Sequence, residues 1–593
     1  MSTSTGNRPV RIGNCSGFYG DRLSAMEEML RGGDLDVITG DYLAELTMLI
    51  LGKDTLRDPD LGYAKTFLRQ LDTCLALALD KGVRIVANAG GLNPHGLAAK
   101  VRELAAAQGL DAPVAVVDGD NLIERKDELG VPDAMTANAY LGGFGIARAL
   151  EEGAAVVITG RVTDASLTVG PAAWWHGWGP ERLDEIAGAM AAGHVIECGT
   201  QATGGNYAFF DDAEVGDLLW PGFPLAEVAE NGDAVITKHP GTGGAVTLGT
   251  VSAQLLYEVA SPSYFGPDAT LRLDTIALSQ EAPDRVLISG CRADPPPKTY
   301  KVATTTVGGW RNEMTFLLVG LDIEAKAALV ERQLRARLDP APEHLEFRLA
   351  RTDHPDADTE AAASAQLTVV ARDNDAATVG KPFSAAAVEL ALASYPGATP
   401  TAPPGKGGPF GVYEPKFIDV ATVEHRLTLP GGEQVVIDPS PLAGEPPRVD
   451  ELAMEPTSGE AASAPDAGGD GVRAPLGRVA AARSGDKGGD ANIGVWVRND
   501  EQWDWLRTAL TTRLLRELLP EARELDIERH ELPNLRALNF VVHGILGRGV
   551  AEGYRFDPQA KGLAEWLRSR VVTIPAHLLP AGYDPREDGV AAQ

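Results

Sequence analysis

Residues 84–94 read Arg84-Ile85-Val86-Ala87-Asn88-Ala89-Gly90-Gly91-Leu92-Asn93-Pro94. The apolar run 84–89 has the length of one buried strand, and Gly, Asn and Pro end it. A helical pattern follows at 97–108. The same unit recurs to either side. A strand-like 10–12 enters Gly13-Asn14-Cys15-Ser16-Gly17-Phe18-Tyr19-Gly20 and then a helical 21–31. Strand 36–39 precedes helical patterns at 42–51 and 63–81. Strand 114–117, a helix at 137–152 and strand 155–159 complete the series. Strands alternating with helices predict βαβ units with right-handed crossovers. The expected fold is α/β, a doubly wound, mostly parallel sheet.

In such sheets ligands sit beyond the carboxyl ends of the strands. That rule singles out 13–20, 40–45, 88–95, 118–121 and 160–166. Gly17, Gly20, Gly90, Gly91 and Asn93 are candidate ligand contacts, although βα turns need such residues for backbone reasons alone. Arg161 can clamp a carboxylate or phosphate, or pair structurally with Asp164. Asp164 suits an acid/base role or an N-cap. Asp41 and Glu45 lie four apart and share a helix face, as a carboxylate pair or as acids complementing the helix dipole. His95 is a candidate base or a surface residue.

Two further stretches invite chemistry. Lys238-His239-Pro240-Gly241-Thr242-Gly243-Gly244 follows the apolar 234–237 and precedes a helical run to about Val259. Lys238, Gly241, Thr242, Gly243 and Gly244 are thus expected to bind an anion at a helix N-terminus, or to make a tight turn. The loop is neither a Walker A sequence nor a dinucleotide fingerprint. Cys198 opens a Gly/Thr turn, as a nucleophile activated by backbone N–H groups or as turn packing. No His lies at metal-ligand spacing from a second, so no metal site is indicated.

Beyond residue 270 the texture changes. Alternating runs such as 301–307 and 315–321, with a helix at 326–338, predict a second, α+β subdomain over 271–440, after a ligand-binding body at 1–270. Residues 441–474 are rich in Pro, Ala, Gly, Ser, Asp and Glu and predict a disordered linker. Residues 475–593 show a ββαββαβ order that suits a ferredoxin-like α+β domain. The chain of 593 residues carries 53 Lys and Arg against 83 Asp and Glu, a net charge of −30. That balance works against nucleic acid and anionic membranes as partners. The 4 cysteines form no C-x-x-C pair. With no signal-like N-terminus and no apolar run near the ~18 residues of a membrane span, the cytoplasm is the expected compartment and a homo-oligomer the expected assembly.

Gly17-Phe18-Tyr19-Gly20-Asp21-Arg22, Gly40-Asp41-Tyr42-Leu43-Ala44-Glu45-Leu46-Thr47, Asn88–Pro94, Thr159-Gly160-Arg161-Val162-Thr163-Asp164-Ala165 and the Lys238 loop together resemble the acyclic terpene utilisation (AtuA-like) family. Arg483-Ser484-Gly485-Asp486-Lys487-Gly488 and Leu532-Pro533-Asn534-Leu535-Arg536-Ala537-Leu538-Asn539-Phe540 resemble the domain that often accompanies it. Gly489-Asp490 departs from the Gly-Asn or Gly-His step expected there. The resemblance implies catabolism of terpenes or related branched acids, as coenzyme A thioesters, and carries no settled catalytic residues. The leading expectation is an enzyme of hydratase, dehydratase or C–C lyase type acting on a small acyl-CoA or carboxylate; the cofactor is unknown. The alternative is a non-catalytic, CoA-ester-binding scaffold for a partner such as an acyl-CoA carboxylase.

Overall fold

A computed structural model describes residues 8–444, 471–550, 552, 553 and 555–590. Most of the expected linker, residues 445–470, lies outside the described residues. The chain divides into two compact units. One runs to Thr305 and takes in Tyr413–Gly549 and everything from Gln559 on. The other is Thr306–Val412 with Val550–Pro558.

The larger unit is organised by an 11-stranded sheet. Its order is Ala277–Ala282, Arg285–Ser289, Ala234–Lys238, Pro224–Val228, Val10–Asn14, Val37–Gly40, Arg84–Ala87, Val156–Thr159, Val114–Asp118, Arg426–Thr428, Gln434–Val436. Only the five strands from Val10–Asn14 to Val114–Asp118 are parallel to one another. Both flanks are antiparallel, so the sheet is mixed rather than mostly parallel. Three of the outer pairings are short hairpins and the other three join strands distant in sequence, whereas only the central strands have the helical crossovers that parallel pairing needs.

The central strands are apolar on both faces because both are covered. Ile38, Ile85, Val116 and Ile158 face helices Ala25–Gly32, Lys65–Asp80 and Pro94–Ala107. Val37, Val86, Val117 and Val157 face the opposite core with Phe144–Glu151, Ser166–His176 and Leu183–Ile196. Leu183–Ile196 is buried at every position from Ile186 onward. Its small residues make that possible: a Cβ on Gly193 would sit 2.8 Å from the Ala165 carbonyl oxygen. The stretch 137–152, expected as one helix, is a strand Ala134–Ala139 followed by the helix Phe144–Glu151. Apolar residues at even spacing there serve a strand, and Gly142-Gly143 breaks the run. No helix among the described residues is long and apolar enough to cross a membrane.

The C-terminal segment builds a four-stranded antiparallel sheet, Ala481–Lys487, Asp490–Trp496, Ala537–Val542, Ile527–Leu532. The final strand Val571–Pro575 pairs with Gly471–Pro475 and stays out of that sheet. Residues alternate between its faces. Ala482, Ile493, Val495, Leu538 and Phe540 pack on the segment's own helices, Asp500–Ala509, Thr512–Leu518 and Leu563–Ser569.

The smaller unit pairs the second half of Thr299–Val319 with Ser364–Asp373, and that strand with His344–Ala350. The runs expected as two strands, 301–307 and 315–321, belong to this one long strand. Helices Ile323–Arg337 and Lys381–Glu389 join it around Phe316, Leu334, Val369 and Phe383. The unit is smaller than the 271–440 stretch, because the outer strands on both sides of it belong to the large sheet.

One turn in the large sheet is constrained by a close approach. Gly119, after Val114–Asp118, has φ 98, and a Cβ there would run into the Glu424 carbonyl just before Arg426–Thr428. Gly119→Ala should destabilise the protein by more than about 2 kcal/mol, read as a lower urea midpoint. An unchanged midpoint would mean that this turn tolerates a side chain.

Candidate functional site

The loops at the carboxyl ends of the parallel strands meet around one buried cation. Arg161 follows strand Val156–Thr159 and is 4% exposed. Its Nη1 donates to the Leu43 carbonyl and to Asp164 Oδ1, both at 2.9 Å. Its guanidinium lies 4.3 Å from the centre of the Tyr140 ring. Asp120 fixes its backbone, accepting from Arg161 N at 2.8 Å and from Asn138 Nδ2 at 2.7 Å.

Asp41 enters from the next loop. Its Oδ1 accepts from Asn88 Nδ2 at 2.6 Å and from Leu43 N at 3.2 Å, and its own N–H reaches the Ser16 carbonyl. Asn88 Oδ1 takes the Tyr42 N–H. Hydrogen bonds thus link the loops at 13–20, 40–45 and 88–95, and Arg161 ties them to 160–166. Gly90 completes the linkage: its N–H donates to Thr159 O at 3.0 Å, and a Cβ would meet that same oxygen.

Glu197 and Cys198 close the far side. Asn14 Nδ2 donates to the carbonyls of Ile196 and Glu197 at 2.5 and 2.9 Å. A Cβ on Gly17 would stand 2.7 Å from the Cys198 carbonyl carbon. The Glu197 carboxylate faces His194 Nδ1 at 3.1 Å, and its Oε2 is buried without a hydrogen-bond partner among the described residues. Arg161 Nε is likewise buried and unpartnered there.

Charge in this cluster is set by burial. Burial first, then the neighbouring Asp164, lifts Asp41 and Glu197 well above the usual carboxylate range. Both are therefore biased toward the protonated form. Burial lowers His194 to about 4, so the imidazole that meets Glu197 is neutral near pH 7. Of the two readings of Cys198, an activated nucleophile or turn packing, its surroundings favour packing: burial, reinforced by Glu197 and Glu258, pushes its thiol up.

The C-terminal segment covers this cluster with the other face of its four-stranded sheet. Arg483, Gly485, Asn492, Gly494 and Asn539 alternate onto that face. Arg483 bonds Gln201 Oε1 and, at 3.2 Å, the Asn206 carbonyl. Asn492 Nδ2 and Asn539 Nδ2 donate to the carbonyls of Leu256 and Val259. Lys561 pairs with Glu258 at 3.0 Å and with Asp486 at 3.3 Å. Arg483–Lys487, the second part of the strand Ala481–Lys487, is thus a docking and charge-bearing element.

Other expected residues lie apart. Lys238 is buried and donates to the Thr242 carbonyl at 2.8 Å, with Asp284 at 3.2 Å. The N–H groups of Thr242, Gly244 and Ala245 go to His239, Asp217 and Thr203, and the Thr242 hydroxyl to His239 O. Gly241 and Gly244 take φ 77 and 70, and Gly243 backs onto the Asp217 and Trp220 carbonyls. The helix starts only at Leu248, capped by Thr247. Lys238 Nζ, the Thr242 hydroxyl and these N–H groups are therefore engaged inside the protein, two strands away from Asn14 on the same sheet edge. His95 is in the first turn of Pro94–Ala107 and pairs with Asp118 at 2.5 Å, without joining the Arg161 network. Asn93 caps that helix through Gly96 N. Gly91, at φ 52, approaches Leu51 and the Gly62 carbonyl, and Gly20 approaches Phe18. Glu45 opens the helix Glu45–Arg57, and its side chain lies outside the described residues. Among the described residues no group of three or more His, Cys, Asp or Glu is placed to hold a metal ion.

Fold and site together define an α/β protein whose strand-end loops gather carboxyl groups around a buried arginine, under a cover supplied by a second, smaller domain. The chain belongs to the acyclic terpene utilisation family: the model of the acyclic terpene utilisation family protein AtuA matches residues 10–429, and that of the AtuA ferredoxin-like domain matches residues 474–573. Neither curated proteins nor solved structures include one that matches the chain.

Asp120, 2% exposed, is pushed up to about 6 by burial. Its stabilising protonated form is fully populated only below the unfolded value of about 4 and is lost as pH rises through 6. Over pH 5 to 7 this costs about 1.4 kcal/mol. Asp268, also raised to about 6 by burial, adds a similar fall. Asp120→Asn should make the protein's stability less dependent on pH by about 1.4 kcal/mol between those pH values, read from the urea midpoints. An undiminished decline would assign it to other groups.

Proposed function

We propose that the protein is a catabolic enzyme that adds water to, or removes it from, a branched acyl-CoA or related carboxylate. The observation that carries this reading is the assembly of Asp41, Asp164 and Glu197 around Arg161, with burial biasing two of those carboxyls toward the neutral form. A hydro-lyase needs three things from a site. It must hold the carbonyl or carboxylate oxygen, move a proton at the neighbouring carbon, and protonate the departing hydroxyl.

Arg161 suits the first task. Its Nη1 is engaged by protein oxygens, and its Nε–H is left to a ligand oxygen that accumulates charge. A neutral Asp41 or Glu197 suits the last, because a carboxylic acid held protonated at neutral pH can donate. Water exclusion follows from the small domain's cover, which strengthens each of these interactions. The terpene-utilisation membership supplies the substrate class in broad terms, and the polar site supplies the end of the molecule that reacts.

The test combines binding and turnover on the purified full-length protein. Branched 2-enoyl-CoA and 3-hydroxyacyl-CoA thioesters and the free acids are screened by thermal shift. A ligand at about 100 times its dissociation constant stabilises by about 2.7 kcal/mol. Mass spectrometry then follows gain or loss of one water. Asp41→Asn should keep the thermal shift and lower turnover by about 100-fold or more. Arg161→Lys should weaken both. Binding without turnover in the wild type would favour a ligand-binding scaffold, and no binding would remove the proposal altogether.

A further inference from the structure

Glu258 follows the helix Leu248–Leu255 in a left-handed backbone, φ 57, that a side chain rarely adopts. The C-terminal domain holds it there at three points. Asn492 Oδ1 accepts its N–H at 2.9 Å, Lys487 Nζ donates to its carbonyl at 2.9 Å, and Lys561 Nζ meets its carboxylate Oε1 at 3.0 Å. Lys561 is itself placed by Asp486 and by the Tyr257 hydroxyl. The Tyr257 ring lies under the Arg483 guanidinium, 4.4 Å from its centre. That ring passes where Gly485 lacks a side chain, since a Cβ would come within 2.6 Å of it.

Glu258 also belongs electrostatically to the cluster described above. Its charge acts on Glu197, Cys198, His194 and Tyr264 of the larger domain. A held carboxylate therefore lies within electrostatic reach of a carboxyl, Glu197, whose second oxygen is buried and unpartnered among the described residues.

We propose that Glu258 is the base that removes the substrate's proton and that Lys561, from the C-terminal domain, positions it. The proposal rests on the hydro-lyase reading above. In dehydration, the carbon–hydrogen bond beside the carbonyl breaks and its proton goes to the Glu258 carboxylate. The electron pair forms the new carbon–carbon double bond. The carbon–oxygen bond at the next carbon breaks with its pair on oxygen, which takes the Glu197 proton and leaves as water. Glu258 ends protonated and Glu197 ionised, and exchange with solvent restores both.

The two environments differ in the sense this step requires. Burial lifts Glu197. At Glu258 burial also acts upward, but Lys561, the Tyr257 hydroxyl and Lys487 outweigh it and hold the carboxyl below its ordinary range. The small domain thereby completes the catalytic site.

The experiment uses full-length protein and a branched probe, 3-hydroxy-3-methylbutanoyl-CoA, with water loss and deuterium uptake beside the thioester followed by mass spectrometry. Glu258→Gln should lower turnover by about 100-fold or more with an unchanged melting midpoint. Lys561→Met should raise the acidic limb of the pH–rate profile by about one unit, because Glu258 then protonates more easily. Lys561→Arg should restore the limb. A wild type that turns over the probe while Lys561→Met leaves the limb in place, or Glu258→Gln stays active, overturns this assignment and leaves the hydro-lyase reading standing. A wild type inert toward the probe, in water loss and in deuterium uptake, overturns both.

Discussion

A guanidinium removed from water must be paired, or the fold that buries it loses several kcal/mol. Arg161 is the group to which the rest of this site answers. Its hydrogen bonds fix the Leu43 backbone and Asp164, Asp120 fixes its own backbone, and Asp41 sits within reach of its charge. One cation cannot neutralise every acid gathered there. Burial pushes the most deeply buried carboxyls toward keeping their protons, as in dense acidic sites where desolvation exceeds the attraction available. Proton-donating capacity is thus a consequence of how the loops converge.

The scaffold was legible where local pattern and burial agree. The stretch around Arg84–Ala87 announced a strand, a turn and a helix, and Asn93 and Pro94 stand at the cap and first position of that helix. The strand-end rule found Asp41, Arg161 and Asp164 without any three-dimensional knowledge. Helix Leu183–Ile196 was not legible, since a helix buried on all sides shows no amphipathic period. The mixed character of the sheet was hidden as well. Single strands do not carry their pairing direction, and the distant Arg426–Thr428 joins Val114–Asp118 through tertiary contact alone.

The site was only half visible for a related reason. Lys238 and its glycines look like an anion cradle in sequence, yet Lys238 Nζ, Thr242 N and Gly244 N each have an internal acceptor. Local composition specifies a turn; what the turn faces is decided by neighbours such as Asp217 and Thr203. Glu258 gave no signal at all, because a left-handed glutamate at a helix end looks like any other acidic residue. The Arg483–Lys487 motif did stand out. Its role came from register: beside Arg483 on one face stand Gly485, Asn492, Gly494 and Asn539, small enough or polar enough to accept another backbone at close range.

That face has a consequence for descent. Gly485 and Gly494 leave room that Tyr257 and Leu256 occupy, and Asn492 bonds the backbone on either side of Tyr257. Enlarging a residue on one domain demands a smaller one on the other, and neither change is tolerated first without a cost. The two family regions are therefore expected to have diverged in step, with residues 256–258 and 483–494 substituting as correlated sets. A C-terminal domain borrowed from a distant relative would fit its own core well and this chain's body poorly.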